Sequence, residues 1–217
     1  MASVDLRAKF GPIEQQGLPN SCVAHAATSV VEAVLGVSDL SRLFVYWNAR
    51  SYANQTGGDF GCQPRNAMKG LSQYGAPAET AWPYDTTKIV TKPDANAYNV
   101  AQPLRTKIKA YQSVQSFAAM KTALTQGLPV LFALMVPDTF ASVTKYSGVQ
   151  PGIAATTRWI GSHCMVACGF DDATQMVLVR NSFGTGFGQE GYCWFGYEWF
   201  ANVTTGKVTD CWTILPV

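Results

Sequence analysis

Charge is what this chain has least of. Asp, Glu, Lys and Arg make up only 14% of its 217 residues, against 47% hydrophobic, and they nearly cancel to a net +2. So weak a field excludes recognition of nucleic acid or an anionic membrane by bulk electrostatics. No Lys/Arg block, acidic tail or low-complexity tract supplies such a field locally, and no internal repeat is present. Long apolar runs are also missing. The longest nearly apolar stretch, residues 130–137, is too short to cross a bilayer, and residues 1–7 are not followed by the apolar core of a secretion signal. The expectation is a soluble monomer with no nucleic-acid or membrane partner, cytoplasmic or released as part of a larger system. Histidine is scarce too: only His25 and His163 occur, so any imidazole chemistry has two candidates.

What is abundant is apolar residues, enough for one good core or two lobes sharing a cleft. Helical periodicity dominates the first half. Val23, Ala26, Ala27, Val30, Val31 and Val34 predict a helix over 21–35, stopped by Gly36. Leu40, Leu43, Phe44 and Trp47 predict a second over 38–52. Pro64 opens a third that Gly75 closes. Residues 82–103 are turn-rich and read as surface chain. A short helix over 116–126 follows. Strand signals then take over at 130–136, 163–170, 176–180, 192–195 and 211–215, with a long loop at 137–161. Segregated elements predict an α+β fold: one domain, 1–217, with a helical lobe at about 14–105 and an antiparallel sheet or barrel lobe at about 106–217 plus the N-terminal segment. Function is expected in the groove between them.

Six cysteines, at 22, 62, 164, 168, 193 and 211, are too few and too unevenly spaced for a disulfide framework. Cys193 and Cys211 fall in two strand-like segments and are a candidate pair; mostly reduced thiols are expected. His163-Cys164-x₃-Cys168 lacks a second Cys-rich knuckle, so no metal site is expected, and no cofactor. Gly184-x-Gly186-x-Gly188 lacks the lysine and long helix of a phosphate loop and reads as a turn between strands.

The chemistry lies in three separated blocks. Gln16-Gly-Leu-Pro-Asn-Ser-Cys22 sits just ahead of the first helix. His163 opens an apolar strand 141 positions later, and Asn181 follows Cys22 by 159. A thiol, an imidazole and an amide in that order are the parts of a cysteine nucleophile, its base and the group orienting the base. A helix N-terminus and a nearby imidazolium both lower a thiol pKa. Cys22 is placed for the first, with Ser21 as cap. His163 must supply the second from the other lobe. Asn181 can hold the ring without adding charge, and the Cys22 N–H and Gln16 side chain can serve as oxyanion donors. His25 lies three positions from Cys22 on the same helix face, leaving no cleft between them, and reads as a half-buried helix residue with a hydrogen-bond partner.

These blocks resemble the papain family (C1) of cysteine peptidases, in particular its short bacterial and phage-like branch. Gln16-Gly17…Ser21-Cys22, Ser162-His163 and Asn181-Ser-Phe-Gly-Thr-Gly-Phe-Gly188…Gly191-Tyr192 are similar to the family's oxyanion/nucleophile, histidine and asparagine blocks. Segments 41–50, 59–65 and 82–85 are similar to that branch's intervening regions. The resemblance implies a papain-like two-lobe fold, with Cys22 as nucleophile, His163 as base then acid, Asn181 as orienter and Gln16 as oxyanion donor. It further implies that Gly61-Cys62 is the edge pairing with an extended substrate by strand addition. Ser162, Thr209 and Asp210 map near the wall and floor of a second subsite. Phe183 and Phe187 stand where tryptophans usually shield the asparagine. The departures are Pro19 in place of a disulfide cysteine, Val23 in place of an aromatic, and Cys62 in place of a glycine.

The expected function is a cysteine endopeptidase acting through a thioester on Cys22. The alternatives are a peptide ligase or transpeptidase using the same groups, or an inactive peptide-binding module. Expected partners are a peptide or protein substrate and either a proteinaceous inhibitor or a removed propeptide.

Overall fold

The structure, a computed structural model, describes residues 2–217, the side chains of Lys145 and Tyr146 apart. Its helices are α1 (Cys22–Leu35), α2 (Arg42–Ser51), α3 (Pro64–Tyr74), α4 (Ala95–Arg105) and α5 (Phe117–Thr125). Its strands are β1 (Ser3–Asp5), β2 (Ile108–Ser113), β3 (Val130–Pro137), β4 (Trp159–Asp171), β5 (Met176–Arg180), β6 (Tyr192–Gly196) and β7 (Val208–Pro216).

Helix α1 is apolar on nearly every side, as a helix walled in by neighbours must be. Its residues from Val23 through Ala33 are all buried. One face packs on α2 and α3, the other on β4 and β7. The polar groups it carries inside are tied down: Thr28 Oγ1 donates to Ala24 O at 3.1 Å, and Glu32 accepts from Leu40 N at 2.8 Å. Helix α2 begins at Arg42, later than its apolar pattern suggests. Ser41 is extended, and its hydroxyl accepts from Phe44 N, which makes it the cap. Helix α3 starts on Pro64 and ends at Gly75. With φ +73°, that glycine holds a backbone where a Cβ would run into the Ala101 carbonyl.

The strands form one antiparallel sheet in the order β2-β7-β3-β4-β5-β6, with β1 added along β4. The sheet is open, so of the two forms expected for this lobe it takes the sheet and not the closed barrel. Two hydrophobic clusters result. Helices α1–α4 share one, built on Phe44, Tyr46, Met68 and Leu71. The sheet, α5 and the aromatic residues Phe132, Phe170, Phe195, Trp199 and Phe200 share the other.

Several expectations need correction. Residues 82–103 are not all surface chain, because they lead into α4, whose Asp94 side chain caps Ala97 N at 2.8 Å and whose Ala97, Ala101 and Leu104 are buried. The stretch 137–161 contains a 3₁₀ segment, Asp138–Tyr146, and β4 starts at Trp159. The first part of β4 is mostly exposed; it is held by backbone pairing to β3 rather than by an apolar face. Cys193 and Cys211 do not pair. Cys193 lies on β6 and Cys211 on β7, with β3, β4 and β5 between those strands, and all six cysteines are free thiols.

The N-terminal segment belongs to the sheet. Ser3, Val4 and Asp5 pair with Asp171, Phe170 and Gly169, and Leu6 N donates to Cys168 O at 2.9 Å. The chain then passes beside the loop after β5, where Gly184 N donates to Glu14 O and Gln16 N donates to Ser182 O, both at 2.9 Å. It crosses into α1 from there. This crossing sets Gln16 next to Asn181–Ser182, although the two stretches are far apart in sequence.

Candidate active site

Cys22 is the first residue of α1, with Ser21 at the N-cap position. The Ser21 hydroxyl does not cap the helix; it points instead to Tyr84 Oη at 2.5 Å. The helix N-terminus therefore leaves its free N–H groups beside the sulfur. Cys22 and His163 wall the same cleft, about 340 Å³ in volume, together with Gly61, Cys62, Ala133 and Ser162. One wall comes from the start of α1 and the loop before α3, the other from β3 and β4.

His163 Nε2 lies 2.7 Å from Asn181 Oδ1. That oxygen also accepts from Ser182 N at 2.8 Å. A backbone N–H can only donate, so the amide is oriented with its oxygen toward the ring. Nε2 must then carry the proton in the Nε2–H···Oδ1 bond, which leaves Nδ1 as the lone-pair nitrogen of the neutral ring. Phe183 lies over the imidazole, with centroids 4.6 Å apart at 29°. Phe140 and Phe187 close around Phe183. These rings exclude water from the histidine–asparagine bond, which strengthens it.

Gln16 is buried and held at both ends of its amide. Oε1 accepts from Ser182 Oγ at 2.7 Å, and Nε2 donates one proton to Pro19 O at 3.0 Å. An amide nitrogen has a second proton, so one N–H remains for a ligand. Tyr84 Oη donates to Gln16 O at 3.0 Å.

Burial acts on both members of the cysteine–histidine pair. It pushes the Cys22 thiol above its ordinary value, opposed by backbone groups of Cys164, Val23 and Cys22 itself. It draws His163 down to about 4, opposed by the Asn181 bond. Taken singly, each group favours its neutral form. The lowered Cys22 pKa expected from the helix terminus does not follow, because desolvation outweighs the terminus until a counter-charge is present.

The substrate-edge residues Gly61 and Cys62 line the cleft with Ser162. Gly61 sits at φ +73°, and its N–H donates to Tyr46 Oη at 3.0 Å. Where a disulfide was missing from the sequence, a polar tie is found. Asn20 N lies 3.1 Å from both Asp59 carboxylate oxygens, Asn20 Nδ2 donates to Asp59 O at 2.9 Å, and Tyr46 Oη donates to Asp59 Oδ1 at 2.5 Å. Asp210 lies elsewhere: it borders a separate depression with Ser113, Thr204 and Thr209, and its Oδ1 accepts from Trp212 Nε1. Thr209 is in that depression too. His25 is deeply buried rather than half-buried.

The model of the papain family of cysteine proteases matches residues 1–206. The chain belongs to that family. A peptidase C1-like protein of Acanthamoeba polyphaga mimivirus is 31% identical over 186 residues, which cover 82% of this chain and 59% of that protein. Cysteine proteinase 3 of Entamoeba histolytica is 26% identical over 196 residues, 88% of this chain and 61% of that one. This papain-family chain thus spans about three fifths of the length of those two curated relatives. Among solved structures, xylellain, a cysteine protease from Xylella fastidiosa, superposes with a TM-score of 0.88 at 28% identity, over 99% of this chain and 86% of that one. Bromelain from Ananas comosus superposes at 0.70 with 20% identity, over 98% and 97% of the two chains, a likeness of fold.

Three supporting residues of this papain-family site were not singled out by the sequence reading. Tyr84 joins Gln16 to Ser21, Ser182 orients both the Gln16 and Asn181 amides, and Asp59 ties the loop before Cys22 to Gly61. The Trp82-Pro-Tyr-Asp segment was a visible signal for the first. The other two also lie in segments that carry the resemblance, Asp59 at the head of 59–65 and Ser182 beside Asn181, but nothing in those segments marks them as supports.

Proposed function

We propose that the chain is a cysteine endopeptidase that hydrolyses peptide bonds through a thioester on Cys22, with all of 1–217 acting as one peptidase domain. The observation that carries this reading is the His163 ring. It is fixed by Asn181 at 2.7 Å through Nε2, so its free Nδ1 is the nitrogen available to a thiol walling the same cleft.

An extended substrate lies along Gly61–Cys62, its carbonyl carbon at the sulfur. Because Tyr46 already engages the Gly61 N–H, the Gly61 carbonyl and the Cys62 backbone are the groups that pair with it. The Cys22 proton passes to Nδ1 as the sulfur attacks. Proton transfer creates both charges at once, so each becomes the counter-charge that burial otherwise denies the other. The resulting imidazolium keeps its Nε2–H bond to Asn181. The oxyanion is met by the Cys22 N–H at the helix terminus and by the second Gln16 Nε2 proton. His163 then gives the Nδ1 proton to the leaving amine. Nδ1 then takes a proton from water, whose hydroxide adds to the thioester carbon; the C–S bond breaks, releasing the carboxylic acid, and His163 returns the proton to the Cys22 sulfur.

The substrate is proposed to be a peptide or protein, and an inhibitor or propeptide would occupy the same cleft. Among chains of similar fold are a digestive procathepsin and bromelain bound to E64, which supports a cleft open to such ligands. The test is turnover of a fluorogenic peptide by wild-type chain and by Cys22→Ala. Loss of at least about 10³-fold in the variant is expected. Equal turnover in both ends the proposal. Ligated product in the presence of an added amine would move the assignment to transpeptidation.

A further inference from the structure

Between α1, β4 and the end of β5 lies a small pocket bordered by Glu14, His25, Ser29, Arg180, Asn181 and Ser182. Two buried nitrogens of bordering residues have no partner in the protein: His25 Nε2 and Asn181 Nδ2.

Their hydrogen-bonding characters follow from their neighbours. Tyr84 Oη has one proton, and the Gln16 carbonyl 3.0 Å away can only accept it. Ser21 Oγ, 2.5 Å from Tyr84 Oη, must therefore donate to that oxygen. With its proton spent, Ser21 Oγ can only accept from His25 Nδ1, 3.3 Å away, as can Ser21 O at 3.1 Å. His25 thus carries its proton on Nδ1, and its Nε2 is a bare acceptor. Burial holds the ring neutral, with its pKa drawn down to about 3. Asn181 is oriented by Ser182 N and His163 with its oxygen toward them, so its Nδ2 is a donor. The residues that carry this acceptor and this donor border the same space. The volume open to the centre of a water-sized sphere is about 10 Å³, close to what one bound water needs.

We propose that this space holds one structural water that donates to His25 Nε2 and accepts from Asn181 Nδ2, making His25 a positioning residue for the catalytic histidine. Ser29 and Glu14 also border the space. Arg180, which also borders the space, donates from its terminal nitrogens to Tyr192 Oη at 3.0 Å and to Pro12 O. The link runs from Gln16 through Tyr84, Ser21 and His25 to the water, and on through Asn181 to His163. It ties the oxyanion side of the site to the base side. Its role in turnover rests on the peptidase reading; the water itself does not.

The test pairs His25→Phe, which keeps a ring and removes the acceptor, with His25→Gln, which restores an acceptor near the Nε2 position. Losing one water-mediated bond to Asn181 lowers kcat about tenfold in His25→Phe with KM within about twofold, and His25→Gln recovers most of the loss. Equal losses in both variants, or none in either, overturn the positioning role. A crystal structure of the wild-type chain decides the water separately, even if His25→Phe fails to fold. Density within hydrogen-bond distance of both nitrogens is expected, and an empty space overturns the proposal. An inactive wild-type chain with that density present would refute the peptidase reading alone.

Discussion

Replacing Tyr84 by Phe removes one oxygen and no ring. That oxygen donates to Gln16 O at 3.0 Å and faces Ser21 Oγ at 2.5 Å. Gln16 is 7% exposed and Ser21 fully buried, so water cannot readily replace it. Ser21 Oγ still accepts from His25 Nδ1 but its own proton loses the Tyr84 oxygen, and the Gln16 carbonyl loses the one side-chain donor it has. An unpaired buried carbonyl costs about 1–3 kcal/mol, and we take about 2 kcal/mol for this site. For a chain of this size that lowers Tm by roughly 4–8 °C. The ring itself stays packed against His25, at a centroid distance of 4.9 Å, so the fold persists. Catalysis should suffer as well, since Gln16 is the proposed oxyanion donor. A donor left in place but loosened loses less than one deleted, so kcat should fall about tenfold against about 10²–10³ for deletion. Thermal melts and steady-state kinetics on the same preparations provide the assay. A Tm within 1 °C of wild type (roughly, by the same scaling) together with unchanged kcat would refute the claim that Tyr84 holds the oxyanion loop.

Three further outcomes are expected. Gln16→Ala should lower kcat about 10²–10³-fold with little change in KM, read by initial rates; a pure KM effect would remove Gln16 from the oxyanion site. The acid limb of kcat/KM should fall with an apparent pKa near 4, because below that value the cysteine–histidine pair gains a proton on the base. Activity lost already at the ordinary histidine value would show that burial does not control the ring, and the alkaline limb should lie above the ordinary thiol value, since burial raises Cys22. Asp59→Ala frees Asn20 and the Tyr46 hydroxyl that holds Gly61, so KM should rise several-fold more than kcat falls, checked by varying peptide concentration.

Legibility in the sequence followed locality. Helix α1 could be read because its apolar residues and Gly36 lie within one stretch, and α3 because Pro64 and Gly75 bracket it. Helix α4 carries its own signal, Asp94 followed by Ala97, Ala101 and Leu104, but Pro103 inside it and the prolines before it mask the pattern. Strands β1 and β2 were missed because three residues cannot show a period, and because the partly exposed face of β2 weakens its alternation. At the site, the residue types that chemistry demands stood out as Cys22, His163, Asn181 and Gln16. Their supports did not. Tyr84 meets Gln16 across 68 positions, Ser182 meets it across 166, and Asp59 meets Asn20 across 39. The Ser182 contact belongs to the lobe crossing and the other two to loops folded together within the helical lobe, and none leaves a mark in local composition. The Cys22 pKa went the other way from expectation for a similar reason: a helix terminus is visible in sequence, while desolvation is set by the walls of the folded cleft.

The central claim is that one thiol of six, Cys22, is activated by His163 across the cleft. Three thiols border that space: Cys22, Cys62 and Cys164. Peptide mapping after treatment with a sub-stoichiometric epoxysuccinyl probe, in wild type and in His163→Ala, tests it most directly. The account predicts label on Cys22 in the wild type, none on Cys62 or Cys164, and a large loss of labelling in His163→Ala. Label on Cys62 or Cys164, or a Cys22 labelling rate untouched by His163→Ala, would contradict it.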